Sequence, residues 1–195
     1  MYTLNNLLNE KQYGFLPQRS TVDAAMAAKG FAQANLQQRN FVIMISLNVM
    51  GALDAARWPS ILCNLRNLRC PRNLNNLTQN YFSDRVAIFH DNTFKVERKV
   101  SMGFPQGTCC GPGFWNILYN TVLNLEFSSH TKFIAFADVL VIPTQGKTPT
   151  EVEVYANSDL ARTEKWANDN KLQFNESKSR VMLITRKRSN DVINP

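Results

Sequence analysis

Ten consecutive residues, 133–142 (FIAFADVLVI), are apolar except for a single carboxylate, Asp138, near their middle. The run is about half of a membrane span, and an unpaired charge inside it would be costly to bury. It therefore reads as two short strands meeting near Ala137 and Asp138, a tight antiparallel hairpin with the carboxylate at its tip. A second short apolar run with β-branched members, 41–47 (FVIMISL), reads as a central strand covered on both faces and ending at Asn48.

Helical signals surround these strands. Residues 21–38 are Ala-rich, have Ser20 and Thr21 as candidate N-caps, and read as a helix despite Gly30. Trp58, Ile61, Leu62, Leu65 and Leu68 have amphipathic helical spacing, with Pro59 tolerated in the first turn. Leu74, Leu77 and Tyr81 mark another helix, and 85–90 and 93–100 read as strands joined at Asp91 and Asn92. The Gly- and Pro-rich stretch 101–112 (SMGFPQGTCCGP) feeds a helix with Phe114, Leu118, Val122 and Leu125 on its apolar face. Residues 151–170 form a polar helix burying Val152, Tyr155, Leu160 and Trp166, and 172–174 and 181–184 close the chain as short strands. The expected class is α+β, an antiparallel sheet backed by helices on one face, in one domain of 195 residues.

The net charge of +7 and pI near 9.4 favour polyanionic partners without identifying one. Arg57, Arg66, Arg69 and Arg72 have no acidic neighbour between them, and Lys171, Lys178, Arg180, Arg186, Lys187 and Arg188 face only Glu176 in their segment. Cys63, Cys70, Cys109 and Cys110 fit neither a zinc site nor a disulfide framework. The first ten residues lack a secretory pattern. The expectation is an intracellular chain, in cytoplasm or nucleus, without a membrane partner.

Motifs in fixed order carry a more specific reading. Residues 12–25 (QYGFLPQRSTVDAA) match a GFRPGRST pattern except at Leu16 and Gln18. Residues 46–59 (SLNVMGALDAARWP) follow LDVKGAFD, with Asn48 in place of the first Asp and Met50 in place of Lys. Residues 101–116 (SMGFPQGTCCGPGFWN) follow RGCPQGSVLGPLLWN, and 135–140 (AFADVL) follow a YADD hairpin whose second Asp has become Val139. Residues 166–182 (WANDNKLQFNESKSRVM) repeat the spacing of NKL, a following Asn and a Lys. Together these resemble the reverse transcriptase domain of non-long-terminal-repeat, LINE-type retrotransposons, over nearly the whole chain.

The resemblance implies polymerase fingers (1–40 and 60–100) and palm (41–59 and 101–195), with the thumb absent and the chain a fragment of a larger polyprotein. It implies RNA-directed DNA polymerisation with an RNA template, a DNA primer, deoxynucleoside triphosphates and two Mg²⁺ ions. The catalytic positions would be Asn48, Asp138 and Val139, with Asp138 the remaining metal ligand and Lys178 a proton donor to pyrophosphate. Leu53 would stand where an aromatic excludes a ribose 2′-hydroxyl, and Gln106 and Gly107 beside the incoming nucleotide. Asp54 reads as a cap or turn residue rather than a substitute ligand.

Two-metal transfer needs charged oxygen ligands. Asn48 keeps a neutral carbonyl oxygen and Val139 offers none, so the pair of losses is expected to lower the rate by on the order of 10⁴-fold or more. The chain is thus expected to be an inactive polymerase. The alternatives are a nucleic-acid-binding module without catalysis, or a non-functional remnant prone to aggregate through its apolar hairpin.

Overall fold

The computed structural model describes residues 8–105 and 107–186, so the expectations placed on Gln106, Lys187 and Arg188 lie outside the described residues. In chain order the elements are α1 (Thr21–Gln37), β1 (Phe41–Asn48), α2 (Ala52–Ala55), α3 (Trp58–Asn67), α4 (Arg72–Phe82), β2 (Val86–His90), β3 (Lys95–Lys99), α5 (Gly111–Leu123), β4 (Ile134–Phe136), β5 (Val139–Gly146), α6 (Pro149–Asp169) and β6 (Arg180–Ile184).

Local chemistry sets the helix starts. The Ser20 hydroxyl accepts from the Asp23 N–H and the Asp23 carboxylate accepts from the Ser20 N–H, a reciprocal capping box that opens α1. Pro59 occupies the first turn of α3, where a backbone donor has no helical partner anyway. Thr148 caps α6 by accepting from the Glu151 N–H.

The main sheet is antiparallel, in the order β4-β5-β1-β6, with Ile45 of β1 opposite Ile142 of β5 and Val181 of β6. Helices cover both of its faces, which corrects the expectation of one. Alternation turns Met44, Ile134, Phe136 and Val141 toward Ala24 and Ala28 of α1, whose small side chains allow close packing. Ile45, Ala135, Leu140 and Ile142 point the other way, into the core that holds Trp115, Leu118, Tyr119 and Trp166. Two covered faces explain why β1 carries so few polar residues.

Other expectations need correction. Residues 172–174 form no strand; Phe174 makes only an isolated bridge to Val49. In α4, Leu74 and Leu77 are exposed, and Phe82 is the buried residue, stacked on Trp58 at 5.2 Å between centroids. The α5 helix is buried nearly all round, from Trp115 to Leu123, because it runs through the centre rather than along a surface. On α6, Tyr155 and Leu160 are only half-buried, while Ala156, Asp159, Thr163 and Ala167 join Val152 and Trp166 inside. No helix among the described residues is long and apolar enough to cross a membrane.

Candidate active site

Asp138 stands in the turn between β4 and β5, as the sequence implies. Its neighbour Ala137 has φ +53°, a left-handed conformation that costs a non-glycine residue about 1 kcal/mol or more. Surrounding contacts hold the turn there. Trp115 Nε1 donates to the Ala137 carbonyl at 2.9 Å, and the Val49 N–H donates to the Asp138 carbonyl at 3.1 Å. On the other side, the Tyr13 N–H donates to the Ala135 carbonyl at 2.8 Å, laying the chain before α1 along β4. Gly14 then passes so close that a Cβ would come within 2.0 Å of the Ala137 nitrogen. Asn116 Nδ2 donates to the Gly14 carbonyl at 2.9 Å. The adjacent residues Trp115 and Asn116 thereby tie the 12–15 segment and the Asp138 turn to one helix.

Asn48, the last residue of β1, lies directly opposite Val139, the first of β5, so the two side chains share a face of the sheet. Asn48 Nδ2 donates to Asp138 Oδ2 at 3.1 Å. The loop after α6 closes the third side: the Asn175 N–H donates to the Asn48 carbonyl at 2.7 Å, and the Lys178 N–H donates to the Asn175 carbonyl at 3.1 Å.

These segments enclose a cavity of about 280 Å³ whose wall includes Phe15, Asn48, Leu53, Asp54, Trp115, Asp138, Asn175 and Lys178. Four sequence-derived site residues, Asn48, Leu53, Asp138 and Lys178, thus meet in one place. Val139 pairs with Asn48 in the β1–β5 ladder and is not on the cavity wall. Gly107 lies in the loop before α5 with φ +87° and is not on the wall. Gln106 lies outside the described residues.

Asp54 departs from the sequence reading. It is in α2, whose N-cap is Gly51 with no side-chain cap bond, and its carboxylate has no hydrogen bond or ion pair among the described residues. It faces the cavity instead. Phe15, Trp115 and Asn175 belong to the motifs, but only folding reveals them as walls. Beneath the wall, fully buried Tyr119 stacks on Trp115 at 5.0 Å, and its hydroxyl has no partner. Burial, and secondarily the Asp138 charge, push its phenol far above the ordinary tyrosine range.

The donor set does not fit a two-magnesium centre. Such a centre needs several carboxylate oxygens, whereas the Asn48 amide presents an N–H donor to the Asp138 oxygen and Val139 presents no ligand atom. No cluster of three His, Cys, Asp or Glu side chains able to hold a metal occurs among the described residues.

Comparisons with known proteins bear on the family and the fold. A family profile described as reverse transcriptase (RNA-dependent DNA polymerase) matches residues 1–192. Over 173 residues the chain is 29% identical to the 115 kDa protein in type-1 retrotransposable element R1DM of Drosophila melanogaster, covering 89% of this chain and 16% of that protein. It is 28% identical over 142 residues to a retrovirus-related Pol polyprotein from type-1 retrotransposable element R1 of Bradysia coprophila, covering 72% of this chain and 14% of that one. The chain therefore spans only a small part of the length of these relatives. Among solved structures, telomerase from Candida tropicalis in complex with a TWJ fragment of telomeric RNA aligns over 98% of this chain and 33% of its own, with a TM-score of 0.70 and 13% identity. That likeness concerns the fold, fingers and palm included.

Proposed function

Since the chain belongs to the reverse transcriptase (RNA-dependent DNA polymerase) family, we propose that it is a retrotransposon reverse transcriptase domain that keeps the nucleic-acid cleft and has lost nucleotide addition. The observation that carries the reading is the Asn48 to Asp138 hydrogen bond at 3.1 Å, with Val139 opposite Asn48 in the ladder. A neutral donor engages the remaining triad carboxylate, so of the three negative charges that would offset two dications at these positions only that of Asp138 is left.

The rest of the cavity wall carries side chains suited to the reacting end of a primer or nucleotide. Phe15 and Leu53 offer apolar surface, and Lys178 brings a cation that makes no ion pair among the described residues. By family, Lys178 is assigned to the phosphate side, Leu53 to the sugar and Gln106 and Gly107 to the incoming nucleotide. The division into fingers at 1–40 and 60–100 and palm elsewhere belongs to the same reading. Arg57, Arg66, Arg69 and Arg72 supply positive charge for backbone phosphates, and binding through them is expected to weaken steeply with salt.

The test is extension of a DNA primer on an RNA template with Mg²⁺ or Mn²⁺, using the natural chain beside the double variant Asn48→Asp, Val139→Asp. The expected result is binding of the hybrid without extension by the natural chain, and detectable extension by the double variant. Extension by the natural chain refutes the reading and directs attention to Asp54 as a replacement ligand. Failure to bind the hybrid, together with aggregation in sedimentation, favours the remnant reading instead.

A further inference from the structure

Residues 55–100 hold eight Lys or Arg against three Asp or Glu, which is five of the chain's seven net positive charges. Within this segment β2 and β3 form their own two-stranded sheet, separate from the main one. Every residue of both strands is exposed. An isolated hairpin of this kind is only marginally stable in water, yet it displays Ile88, Phe89, Phe94 and Val96, with Phe89 at 61% and Phe94 at 52% exposure.

The register sorts its side chains. Ala87 is opposite Arg98 and Phe89 opposite Val96, so Phe89, Val96 and Arg98 share one face. Phe94 joins them, its ring 5.8 Å from that of Phe89. Arg98 has no carboxylate partner among the described residues, whereas Glu97, on the opposite face, is bound to Lys95. One face is therefore aromatic and cationic without a compensating acid, and the helices that precede it in the chain, α3 and α4, contain no acidic residue.

We infer that this face of the β2–β3 hairpin binds single-stranded nucleic acid, stacking unpaired bases on Phe89 and Phe94 while Arg98 meets the phosphates. Exposed aromatics interleaved with cations are the chemistry by which unpaired strands are held with little regard to sequence. The face lies apart from the Asp138 cavity, whose wall includes none of these residues. A purely apolar partner would have to bury Arg98 unpaired, which is costly. The inference rests on the reading that the chain binds nucleic acid.

The experiment measures binding of the whole chain to a fluorescein-labelled oligouridylate and, separately, to an RNA–DNA hybrid duplex. Phe89→Ala with Phe94→Ala should weaken oligouridylate binding about tenfold or more, while leaving the hybrid and the melting temperature nearly unchanged. The conservative pair Phe89→Tyr and Phe94→Tyr should bind as the natural chain does, which separates stacking from hairpin collapse. Arg98→Ala should lower the salt dependence by about one phosphate contact. Equal oligouridylate binding by the alanine pair overturns the inference and leaves the cleft reading standing if the hybrid still binds. No binding of either ligand by the natural chain overturns both. Loss of self-association in the alanine pair, with oligouridylate binding unchanged, identifies the face as a contact between copies and also overturns it.

Discussion

Replacing Asn48 by Asp puts a carboxylate where the motif resemblance places a metal-binding Asp, and the structure fixes what that costs without metal. Asn48 Nδ2 is 3.1 Å from Asp138 Oδ2. The change removes a hydrogen bond to a charged group, worth about 1.5–3 kcal/mol, and sets two carboxylates side by side. Two unit charges 4 Å apart repel by about 4 kcal/mol at an effective dielectric constant of 20. Both residues are half-buried, so water and side-chain rotation relieve part of this. A net loss of about 2–4 kcal/mol at neutral pH is expected. Asn48→Ala, which removes the bond without adding charge, should lose about 1–2 kcal/mol. Repulsion makes the folded variant hold a proton more tightly than its unfolded chain does. Its deficit is therefore small below the ordinary carboxylate range, near pH 4, and grows as pH rises toward 7. Urea denaturation in EDTA across that range, with the natural chain and Asn48→Ala alongside, measures each quantity. A variant as stable as the natural chain at pH 7, or a deficit equal to that of Asn48→Ala and independent of pH, refutes the reasoning.

Three other substitutions probe the frame of the site. Gly14→Ala would drive a Cβ to 2.0 Å from the Ala137 nitrogen, so urea denaturation should show a loss of about 2–4 kcal/mol, whereas Gly30→Ala, inside α1 with nothing within 4 Å of the new Cβ, should gain about 0.5–1 kcal/mol. Trp115→Phe removes the donor to the Ala137 carbonyl, with a stability cost of about 1–3 kcal/mol and, in the Asn48→Asp, Val139→Asp background, a further fall in primer extension as the turn loosens. Tyr119→Phe deletes a buried hydroxyl that has no partner, so stability at pH 7 should stay within about 1 kcal/mol. The raised phenol of Tyr119 contributes stability that is complete below the unfolded pKa of about 10 and is lost as pH rises above it. Alkaline denaturation should accordingly begin at higher pH in the phenylalanine variant, and an identical alkaline limb would count against the buried-phenol assignment.

The residues by themselves determined a good deal. Strand β1, the hairpin carrying Asp138, the cap at Ser20 and the helix opened by Pro59 were legible because each depends on local periodicity, turn chemistry or backbone geometry. Motif order was legible too, and it marked Asn48 and Val139 as the altered positions beside the retained Asp138. Residues 172–174 misled because a short apolar stretch looks like a strand whether its backbone pairs in a ladder or only holds a loop against Val49. Leu74 and Leu77 misled because spacing marks an apolar face without showing that anything covers it. Asp54 was taken for a cap because a lone acid near a helix start usually is one, and only the packing of α2 turns it toward the cavity.

What only the tertiary structure decided is which distant residues touch. Long-range contacts depend on how strands register and helices cross, and these are set by the whole core at once rather than by any local pattern. Trp115 reaching the Ala137 carbonyl, Gly14 pressed against the same turn, and α1 covering the second face of the sheet all arise in that way. So does the contact that bears most on function. The motif resemblance puts Asn48 where an Asp is expected; the fold brings its amide to 3.1 Å from Asp138, where it donates a hydrogen bond to that carboxylate.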